Sequence, residues 1–532
     1  MLVAFAVEAF AIGLAASVLG VVGGIGIAQL LKGAFDGLGF ALPASGLVIN
    51  PSVAVIAIAV GTVVTTLAGL SPARRGAKVA PIAALQSVAI ERIAGSRARL
   101  VVGVVLVAAG AAIALAGAVG SAGMGAAALG SVLLLAGVIA VGPVLARPLT
   151  RALGWPLRGA GVTGALARQN AERNPRRTWS TATALMIGVA IVSLFTIFAS
   201  SIKASVDETV DRSFGGDLVI SAPGFGGAGL APDVAQAVAD APVVGRSVAI
   251  GRVGATVAGT DERVAVADPV ALGQVLTLDV SAGDLAAVGA DGVAVSRAVA
   301  DERGWSVGSA VPLGWIDGAT TAATVDAIYD AGDLVGDVLV PRSTATAHNP
   351  RIVDAAVYVD LAPGTPLADA RSQLTAAVAP LGAPPVEDRE QYVASATGPV
   401  DLMLSVVYVL LVLAILIAIL GIANTLSLAV HERTRELGLL RAVGETRRQV
   451  RRMVRLESSL VAVLGTVAGL ALGVVAGWVL VRGSGSGVAA FRAPIVPLAV
   501  IVVVGAVAGA LAGWRPSRRA ARVDVLRAIA ST

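Results

Sequence analysis

The chain lacks cysteine altogether and has only three lysines and two histidines among its 532 residues. Without cysteine, disulfide bonds, thiolate catalysis and cysteine-based metal sites are excluded. None of the lysines, Lys32, Lys78 and Lys203, follows a glycine, so the chain has no Gly-x-x-x-x-Gly-Lys-Ser/Thr loop to bind nucleotide phosphates. The long apolar stretches contain no histidine, no cysteine and no paired aspartates, which argues against an enzyme acting within a membrane. If the function needs ATP, another chain must hydrolyse it.

Charged residues are also scarce, and apolar residues are abundant. Hydrophobic residues make up 56% of the chain, charged residues 14%, and the mean hydropathy is +0.84. About 20 apolar residues in a helix span the hydrocarbon core of a bilayer. Eight stretches reach that length: about 9–31, 49–70, 100–119, 124–146, 178–202, 402–430, 458–481 and 493–514. The sequence therefore predicts a polytopic α-helical membrane protein whose N-terminal stretch is a retained membrane helix. Residues 100–146 are predicted to be a helical hairpin turned at Gly120, Ser121, Gly123 and Gly125.

The few charges are unevenly distributed along the chain. Residues 204–399 hold 25 of the 35 acidic residues and 10 of the 40 lysines and arginines, a net charge of −15, so the remainder carries +20. Most of this excess lies in four segments at the ends of apolar stretches: 74–99, 147–177, 433–455 and 515–527. Basic segments stay on the cytoplasmic side of a membrane, which predicts a bacterial plasma-membrane protein with both termini cytoplasmic and residues 204–399 outside. The pattern favours contact with anionic lipids and argues against nucleic-acid binding.

Residues 204–399 have the composition of a soluble domain and predict an extracytoplasmic, mixed α+β fold. Eight strands are predicted at 217–221, 248–258, 263–267, 292–296, 310–313, 321–329, 337–340 and 355–361. Helices are predicted at 232–240, 297–303 and 366–381, and a flexible loop at 223–229. The acidic residues show no clustered ligand spacing and are interpreted as a solvated face. His348 is interpreted as a solvated loop residue.

The sequence repeats itself over a long distance. Residues 61–85 match residues 505–529 at a constant shift of 444, and the preceding apolar stretch matches at a shift of 449. Small residues recur at every fourth position of that stretch, which predicts helix faces suited to close packing. They are Ala16, Gly20, Gly24 and Ala28 in the first copy and Gly465, Gly469, Gly473 and Gly477 in the second. The second copy is preceded by two further apolar stretches and the outside domain, which the first copy lacks. Either the start of the first copy is truncated or a separate chain supplies it.

Residues 432–452 form the most distinctive segment, with the sequence ERTRELGLLRAVGETRRQVRR. Leu437, Leu440 and Val443 would share one helical face, which predicts a short amphipathic helix at the membrane surface. Its two glycines each weaken a helix by about 1 kcal/mol relative to alanine, which indicates a close contact or a bend. Such a helix is suited to docking in a groove of a cytoplasmic partner.

The run Glu436–Gly444 resembles the E-[IL]-G-[ILV]-[LMR]-[RK]-A-x-G segment of the FtsX-like permease family. Two further runs support this resemblance. Residues 166–178 resemble the amphipathic helix that precedes the first membrane helix of a family unit, and residues 295–308 resemble the MacB-type periplasmic core. The resemblance implies that residues 432–452 are the coupling element that meets an ATPase. The residues it assigns to that contact are Glu432, Glu436, Gly438, Leu439, Arg441 and Gly444.

The resemblance also implies a domain organisation, that of a two-unit permease lacking the front of its first unit. The expected parts are 1–90, the back of the first unit; 91–177, a membrane hairpin and linker; 178–203, the first membrane helix of the second unit; 204–399, the outside domain; and 400–532, the FtsX-like membrane domain. Only one coupling element occurs, where two units should have two. No cofactor is expected in this chain, and ATP and magnesium are expected in the partner.

These features favour the permease subunit of an ABC transporter that exports or extracts a hydrophobic lipid, lipoprotein, peptide or antibiotic. The expected partners are a cytoplasmic ABC ATPase dimer, membrane lipids, and a second permease chain or an extracytoplasmic protein. An alternative is a transmembrane relay that controls an extracytoplasmic cell-wall enzyme and transports nothing. A secondary transporter or channel would place ionisable residues within the membrane, whereas Glu8, Asp401 and Glu457 are interpreted as lying at helix ends.

Overall fold

The structure is a computed structural model. It describes residues 2–37, 50–77, 97–119, 122–222, 229–330, 332–349, 352–484 and 491–523. Several features of the sequence analysis lie outside the described residues: the turn residues Gly120 and Ser121, loop residues 223–228, and the repeat residues 78–85 and 524–529. The chain divides into two units, Met1–Ser96 and Arg97–Thr532, which are described separately.

Eight helices of the described residues are long and apolar enough to cross a membrane. In chain order, the helices outside the α+β domain are α1 (Leu2–Gly37), α2 (Pro51–Ala77), α3 (Arg97–Val119), α4 (Gly123–Leu153), α5 (Gly161–Arg173), α6 (Pro175–Ser213), α13 (Arg389–Glu432), α14 (Thr434–Ala442), α15 (Arg447–Gly483), α16 (Ile495–Ala512) and α17 (Trp514–Ala520). All but α5, α14 and α17 begin a candidate span. Each predicted apolar stretch overlaps one of the eight, so the prediction of a polytopic α-helical membrane protein is confirmed.

In the first unit, α1 and α2 form an antiparallel pair. Three contacts at four-residue intervals hold the helices close together, and each has a glycine on one side. The pairs are Ala9 with Gly69, Gly13 with Thr65, and Ser17 with Gly61. A Cβ at Gly69 would lie 3.0 Å from the Cβ of Ala9, so these glycines allow a separation that larger residues would prevent.

In the second unit, α3 and α4 form the predicted hairpin. Glycines on both helices face the partner backbone; a Cβ at Gly110 would lie 2.9 Å from the carbonyl oxygen of Gly130. Gly123 begins α4 with a φ of +67°, as the turn requires. Gly125, which was also predicted in the turn, lies inside α4 instead.

Helices α6 and α13 are longer than a membrane requires. They contain 39 and 44 residues, which correspond to about 58 and 66 Å at 1.5 Å per residue. They run antiparallel, with Lys203 of α6 paired to Asp401 of α13 and Arg389 of α13 paired to Asp211 of α6. Both helices therefore continue past the predicted membrane boundaries and carry the outside domain directly.

The outside domain is a ten-stranded mixed sheet with small helices, which confirms the predicted mixed α+β fold; eight of the strands were predicted. Its strands are β1 (Leu218–Ser221), β2 (Val244–Val257), β3 (Thr260–Ala267), β4 (Val280–Gly283), β5 (Gly292–Ser296), β6 (Ala310–Gly314), β7 (Thr320–Tyr329), β8 (Val338–Pro341), β9 (Val353–Leu361) and β10 (Val386–Glu387). Its helices are α7 (Val234–Ala239), α8 (Pro269–Val275), α9 (Arg297–Arg303), α10 (Gly332–Val335), α11 (Arg342–His348) and α12 (Leu367–Val378).

The strand order in the sheet is β10-β1-β9-β2-β3-β8-β5-β7-β4, with β6 paired to β2 and β7. Only the β3–β8 and β5–β7 pairs are parallel. Apolar cores lie around the sheet; one of them contains the buried Tyr329, Leu339 and Tyr358. The terminal strand β10 leads directly into α13, so one edge of the sheet is tied to a membrane helix.

His348 does not lie in a loop, contrary to the sequence interpretation. It is the last residue of α11, and its ring stacks on Trp315 with 5.0 Å between the ring centroids. Its Nδ1 is 2.9 Å from Oδ2 of Asp317, and this contact is the largest cause that lowers the pKa of Asp317. The residue is therefore part of a packed surface cluster, and the stacking explains why its side chain is only 21% exposed.

Candidate coupling site

The predicted coupling segment, residues 432–452, consists of three elements rather than one helix. Helix α13 ends at Glu432, the short α14 follows, and α15 begins at Arg447. Val443 was expected on the apolar face of the helix, but it lies beyond the end of α14 and is 84% exposed. The expectation of a single amphipathic helix with Val443 on its apolar face is therefore wrong, because the helix stops one residue earlier.

Gly444 ends α14. Its φ is +115°, a conformation that favours glycine. The N–H of Gly444 donates to the carbonyl of Arg441 over 3.2 Å, and the N–H of Glu445 donates to the carbonyl of Leu440 over 3.0 Å. These two bonds form a Schellman motif, the common way in which a glycine closes a helix. The bend expected from the glycine is present at this position.

Thr446 starts the next helix. Its Oγ1 accepts from the N–H of Gln449 over 3.2 Å, and Oε1 of Gln449 accepts from the N–H of Thr446 over 2.8 Å. This reciprocal arrangement is a capping box, which satisfies backbone donors that a helix start would otherwise leave unpaired. The end of α14 and the start of α15 are thus both fixed by local hydrogen bonds, and the exposed turn between them is short.

One side of α14 is buried against the helices of the second unit. Leu437 is 6% exposed and belongs to the same apolar cluster as Val430 and Met453. Gly438, beside it, is also buried. A cavity of about 40 Å³ lies under the helix, between α14, α5 and α15. This packing fixes α14 to the bundle and leaves its other side free to meet a partner.

A partly buried polar network links α14 to α5 and α15. Asn170 of α5 donates from Nδ2 to Oε2 of Glu457 over 3.3 Å, and its Oδ1 accepts from Nη2 of Arg433 over 3.0 Å. Arg433 also pairs with Glu436 over 3.1 Å. Glu457 is 9% exposed and lies within α15, so its placement at a helix end is wrong. Asp401 likewise lies within α13, paired to Lys203.

The exposed side of α14 and its turn carries apolar residues. Leu439 is 51% exposed and Val443 is 84% exposed. Large apolar side chains exposed at a membrane surface, on a helix whose other side is anchored, are typical of a docking site for another protein. The exposure of Val443 was not predicted because the apolar periodicity placed it on the buried face; the Gly-Glu-Thr run after it was the signal that the helix ends there.

The charged residues assigned to the site are all engaged within the chain. Glu432 accepts from Nη1 of Arg177 over 3.4 Å. Arg441 donates from Nη1 to the carbonyl of Val523, in the segment that follows α17. The first contact joins the end of α13 to the start of α6, and the second joins α14 to the segment after α17. The structure thus brings together all six predicted residues, but only Leu439 offers an exposed apolar side chain.

The other end of α13 is joined tightly to the outside domain. Tyr392 of α13 stacks on Phe214, with 6.4 Å between ring centroids, and Tyr358 of β9 packs edge-on against both. Glu387, just before α13, accepts from Oγ of Ser395 over 3.1 Å. Burial raises the pKa of Glu387. Because α13 is continuous between the two ends, a displacement at α14 can reach the sheet through one helix.

The described residues include no group of three or more histidine, cysteine and acidic side chains that could hold a metal ion. What the site offers is an anchored, partly apolar surface.

Two models of known protein families match parts of this chain. Residues 408–525 match the model described as FtsX-like permease C-terminal. Residues 178–377 match the model described as MacB-like periplasmic core domain. The first match includes α14 and its surroundings, and the second covers α6 and most of the outside sheet. The resemblance expected from residues 436–444 and 295–308 is confirmed.

Curated relatives align over a limited part of the chain. The ABC transporter permease YtrF of Bacillus subtilis is 28% identical over 130 residues, which are 22% of this chain and 30% of that protein. The pyoverdine export ATP-binding/permease protein PvdT of Pseudomonas aeruginosa is 32% identical over 124 residues, 22% of this chain and 17% of that protein. The macrolide export ATP-binding/permease protein MacB of Shewanella oneidensis is 29% identical over 140 residues, which are 26% of this chain and 21% of that protein. The chain thus spans less than a third of these relatives' length.

Solved structures similar to this chain cover about a third of it. The periplasmic region of MacB from Actinobacillus actinomycetemcomitans matches 35% of this chain and 95% of its own, with a TM-score of 0.28 and 11% identity. The extracellular domain of the ABC-type transporter YknZ from Gram-positive bacteria matches 32% of this chain and 99% of its own, with a TM-score of 0.25 and 14% identity.

Proposed function

From the premise that the chain is a multi-pass membrane protein carrying an FtsX-like permease domain and a MacB-like core domain, we propose that it is the membrane-spanning permease subunit of an ABC transporter. A separate cytoplasmic ATPase dimer binds and hydrolyses ATP with magnesium. The permease converts the movement of that ATPase into export or extraction of a hydrophobic substrate on the side of the outside domain.

The observation that carries this proposal is the two-sided character of α14. Leu437 and Gly438 are buried against the bundle, while Leu439 and Val443 face outward. An ATPase groove that received these two side chains would hold α14 from one side while the bundle holds it from the other. A push on α14 would then move the helices to which it is anchored.

Transmission through the membrane rests on α13 and α6. At the coupling site, Arg177 of α6 pairs with Glu432, the last residue of α13, and Arg433 bonds to Asn170 of α5. The same two helices meet again at the outside domain through Phe214 and Tyr392. A tilt of either helix therefore changes the position of the sheet, which is how ATP hydrolysis inside would act on a substrate outside.

The proposal predicts that Leu439→Asp combined with Val443→Asp abolishes binding of an ABC ATPase. A charge on each side chain must be desolvated in an apolar groove, which costs several kcal/mol. The permease and ABC ATPases from the same genome are co-expressed, and co-purification in detergent and ATP hydrolysis by the complex are measured. Ile316→Asp, at a site 77% exposed in the outside domain, is the matched control and should leave both unchanged.

An ATPase that co-purifies equally with the double variant would contradict the assignment of α14 as the docking site. The double variant should still insert in the membrane, because neither side chain packs in the core. Equal yield of the two variants in the membrane fraction verifies this.

A further inference from the structure

The helix pair α1–α2 reproduces the contacts of α15–α16. In the second unit the pairs are Ser458 with Gly513, Ala462 with Gly509, and Thr466 with Gly505. The repeat shift is 449 for residues of α15 and 444 for residues of α16. Subtracting these shifts gives the three pairs of the first unit: Ala9 with Gly69, Gly13 with Thr65, and Ser17 with Gly61. The repeat found in the sequence is therefore a repeat of three-dimensional packing, and the other faces of α1 and α15 can be compared residue by residue.

In the second unit, the small-residue face of α15 is covered by α6. All four glycines of this face, at positions 465, 469, 473 and 477, are buried. A Cβ at Gly465 would lie 2.5 Å from the carbonyl oxygen of Ala182, and a Cβ at Gly469 would lie 2.5 Å from that of Met186. Each step of four residues along α15 is matched by four along α6, so the two helices run parallel with their backbones nearly touching.

In the first unit, the corresponding face of α1 is open. Among the described residues, no atom lies within 4 Å of a Cβ built at Gly20 or Gly24. The face and α2 together line a groove of about 530 Å³. Of its two polar side chains, Ser17 donates to the carbonyl of Gly13 and Asn50 accepts from Ser52. The groove therefore needs no polar partner and suits an apolar helix.

We propose that this groove holds a transmembrane helix of the α6 type, running parallel to α1, which begins another FtsX-like unit. The occupant is apolar and carries small or β-branched residues at intervals of seven or eight along one face, as α6 does with Ala182, Ala190 and Ile197. Close backbone approach drives such association in lipid, where apolar surface alone gains nothing from burial. The proposal rests on the repeat and its contacts, and it holds whether or not α14 binds an ATPase.

The absence of cysteine from the chain allows a direct cross-linking test. A Cβ at Gly477, the counterpart of Ala28, would lie 3.1 Å from the Cβ of Ile197, near the Cβ separation of about 3.5–4.5 Å in disulfides. The probe is a synthetic peptide of residues 175–204 with Ile197→Cys. It is reconstituted in phospholipid vesicles with the full chain carrying Ala28→Cys, and the mixture is oxidised.

Oxidation should join the peptide to the Ala28→Cys chain about tenfold more than to a Leu30→Cys chain. Leu30 is the matched control because it lies two residues away on the other side of α1 and is 75% exposed. Adding Gly20→Leu and Gly24→Leu to Ala28→Cys should lower the yield about tenfold by filling the groove, while the chain still inserts, since these side chains meet open space.

Equal yields at positions 28 and 30, or no peptide product at all, would overturn the proposal. A disulfide between two copies of the Ala28→Cys chain in place of the peptide product would also overturn it, and would assign the groove to a second copy. Insertion of every variant is checked by its resistance to extraction from the membrane at high pH. None of these results depends on an ATPase, so they separate this proposal from the proposed function.

Discussion

Leu439 and Gly438 are neighbours on α14 with opposite surroundings, and this decides how the coupling site can be tested. Gly438 is buried, so a bulky residue there would disrupt the bundle and remove binding indirectly. Leu439 is half exposed, and its replacement changes the surface without changing the core. Arg441 is also a poor test residue, because its guanidinium holds the segment after α17.

Glu457 is a residue whose burial and hydrogen-bond partner could not be predicted from the sequence. Its position near the start of an apolar stretch suggested a solvated helix end, but it is buried and bonded to Asn170, which lies 287 residues away in the chain. Asn170 belongs to a run noted for its resemblance to the family, yet nothing in its spacing from Glu457 shows that the two residues meet. Only the packing of α5 against α15 brings the amide to the carboxylate.

Asn170→Ala should loosen the coupling helix. The change leaves Glu457 and Arg433 without the amide that bridges them, and an unsatisfied buried polar group costs about 1–3 kcal/mol, more when it is charged. Hydrogen exchange of the amides of residues 434–442 should become faster in the purified chain. Asn424→Ala, at an exposed position of α13, is the control. Unchanged exchange in Asn170→Ala would show that the network does not hold α14.

At the scale of elements, the sequence predicted most of the fold. Charge-free stretches identified all eight membrane helices, and the bounds of β5 and α9 were predicted to the residue. The missed strand β10 has two residues, too few for alternation to be visible, and the missed strand β4 has the sequence VSAG with all four residues exposed, so it contains no apolar run. The end of α14 was misplaced because apolar periodicity was followed as far as Val443, although Gly444 and the capping pair Thr446–Gln449 mark the boundary locally.

Gly469→Leu should weaken the packing of α15 on α6. A Cβ at Gly469 would lie 2.5 Å from the carbonyl oxygen of Met186, and overpacking of this kind costs about 1–3 kcal/mol or more. The thermal unfolding midpoint of the purified chain in detergent should fall. Gly421→Leu, in α13, is the control because a Cβ there meets no atom within 4 Å. Equal midpoints for the two variants would contradict the close helix contact.

At the scale of the whole second unit, the coupling site and the outside sheet lie at opposite ends of α13. The helix contains 44 residues, about 66 Å at 1.5 Å per residue, which exceeds the thickness of a hydrocarbon core of about 30 Å. We therefore expect the two ends to lie on opposite sides of the membrane. The charge distribution predicts which side is which: the end near α14 is rich in arginine, and residues 204–399 carry a net charge of −15.

This orientation predicts a simple labelling pattern in cells. Ile316→Cys and Val443→Cys create single cysteines at positions that are 77% and 84% exposed in the wild-type chain. A membrane-impermeant maleimide added to intact protoplasts should label the Ile316→Cys chain and leave the Val443→Cys chain unlabelled, because only the outside domain is accessible. After permeabilisation both chains should be labelled, which verifies that both thiols react. Labelling of the Val443→Cys chain in intact protoplasts would place α14 outside and rule out its contact with a cytoplasmic ATPase.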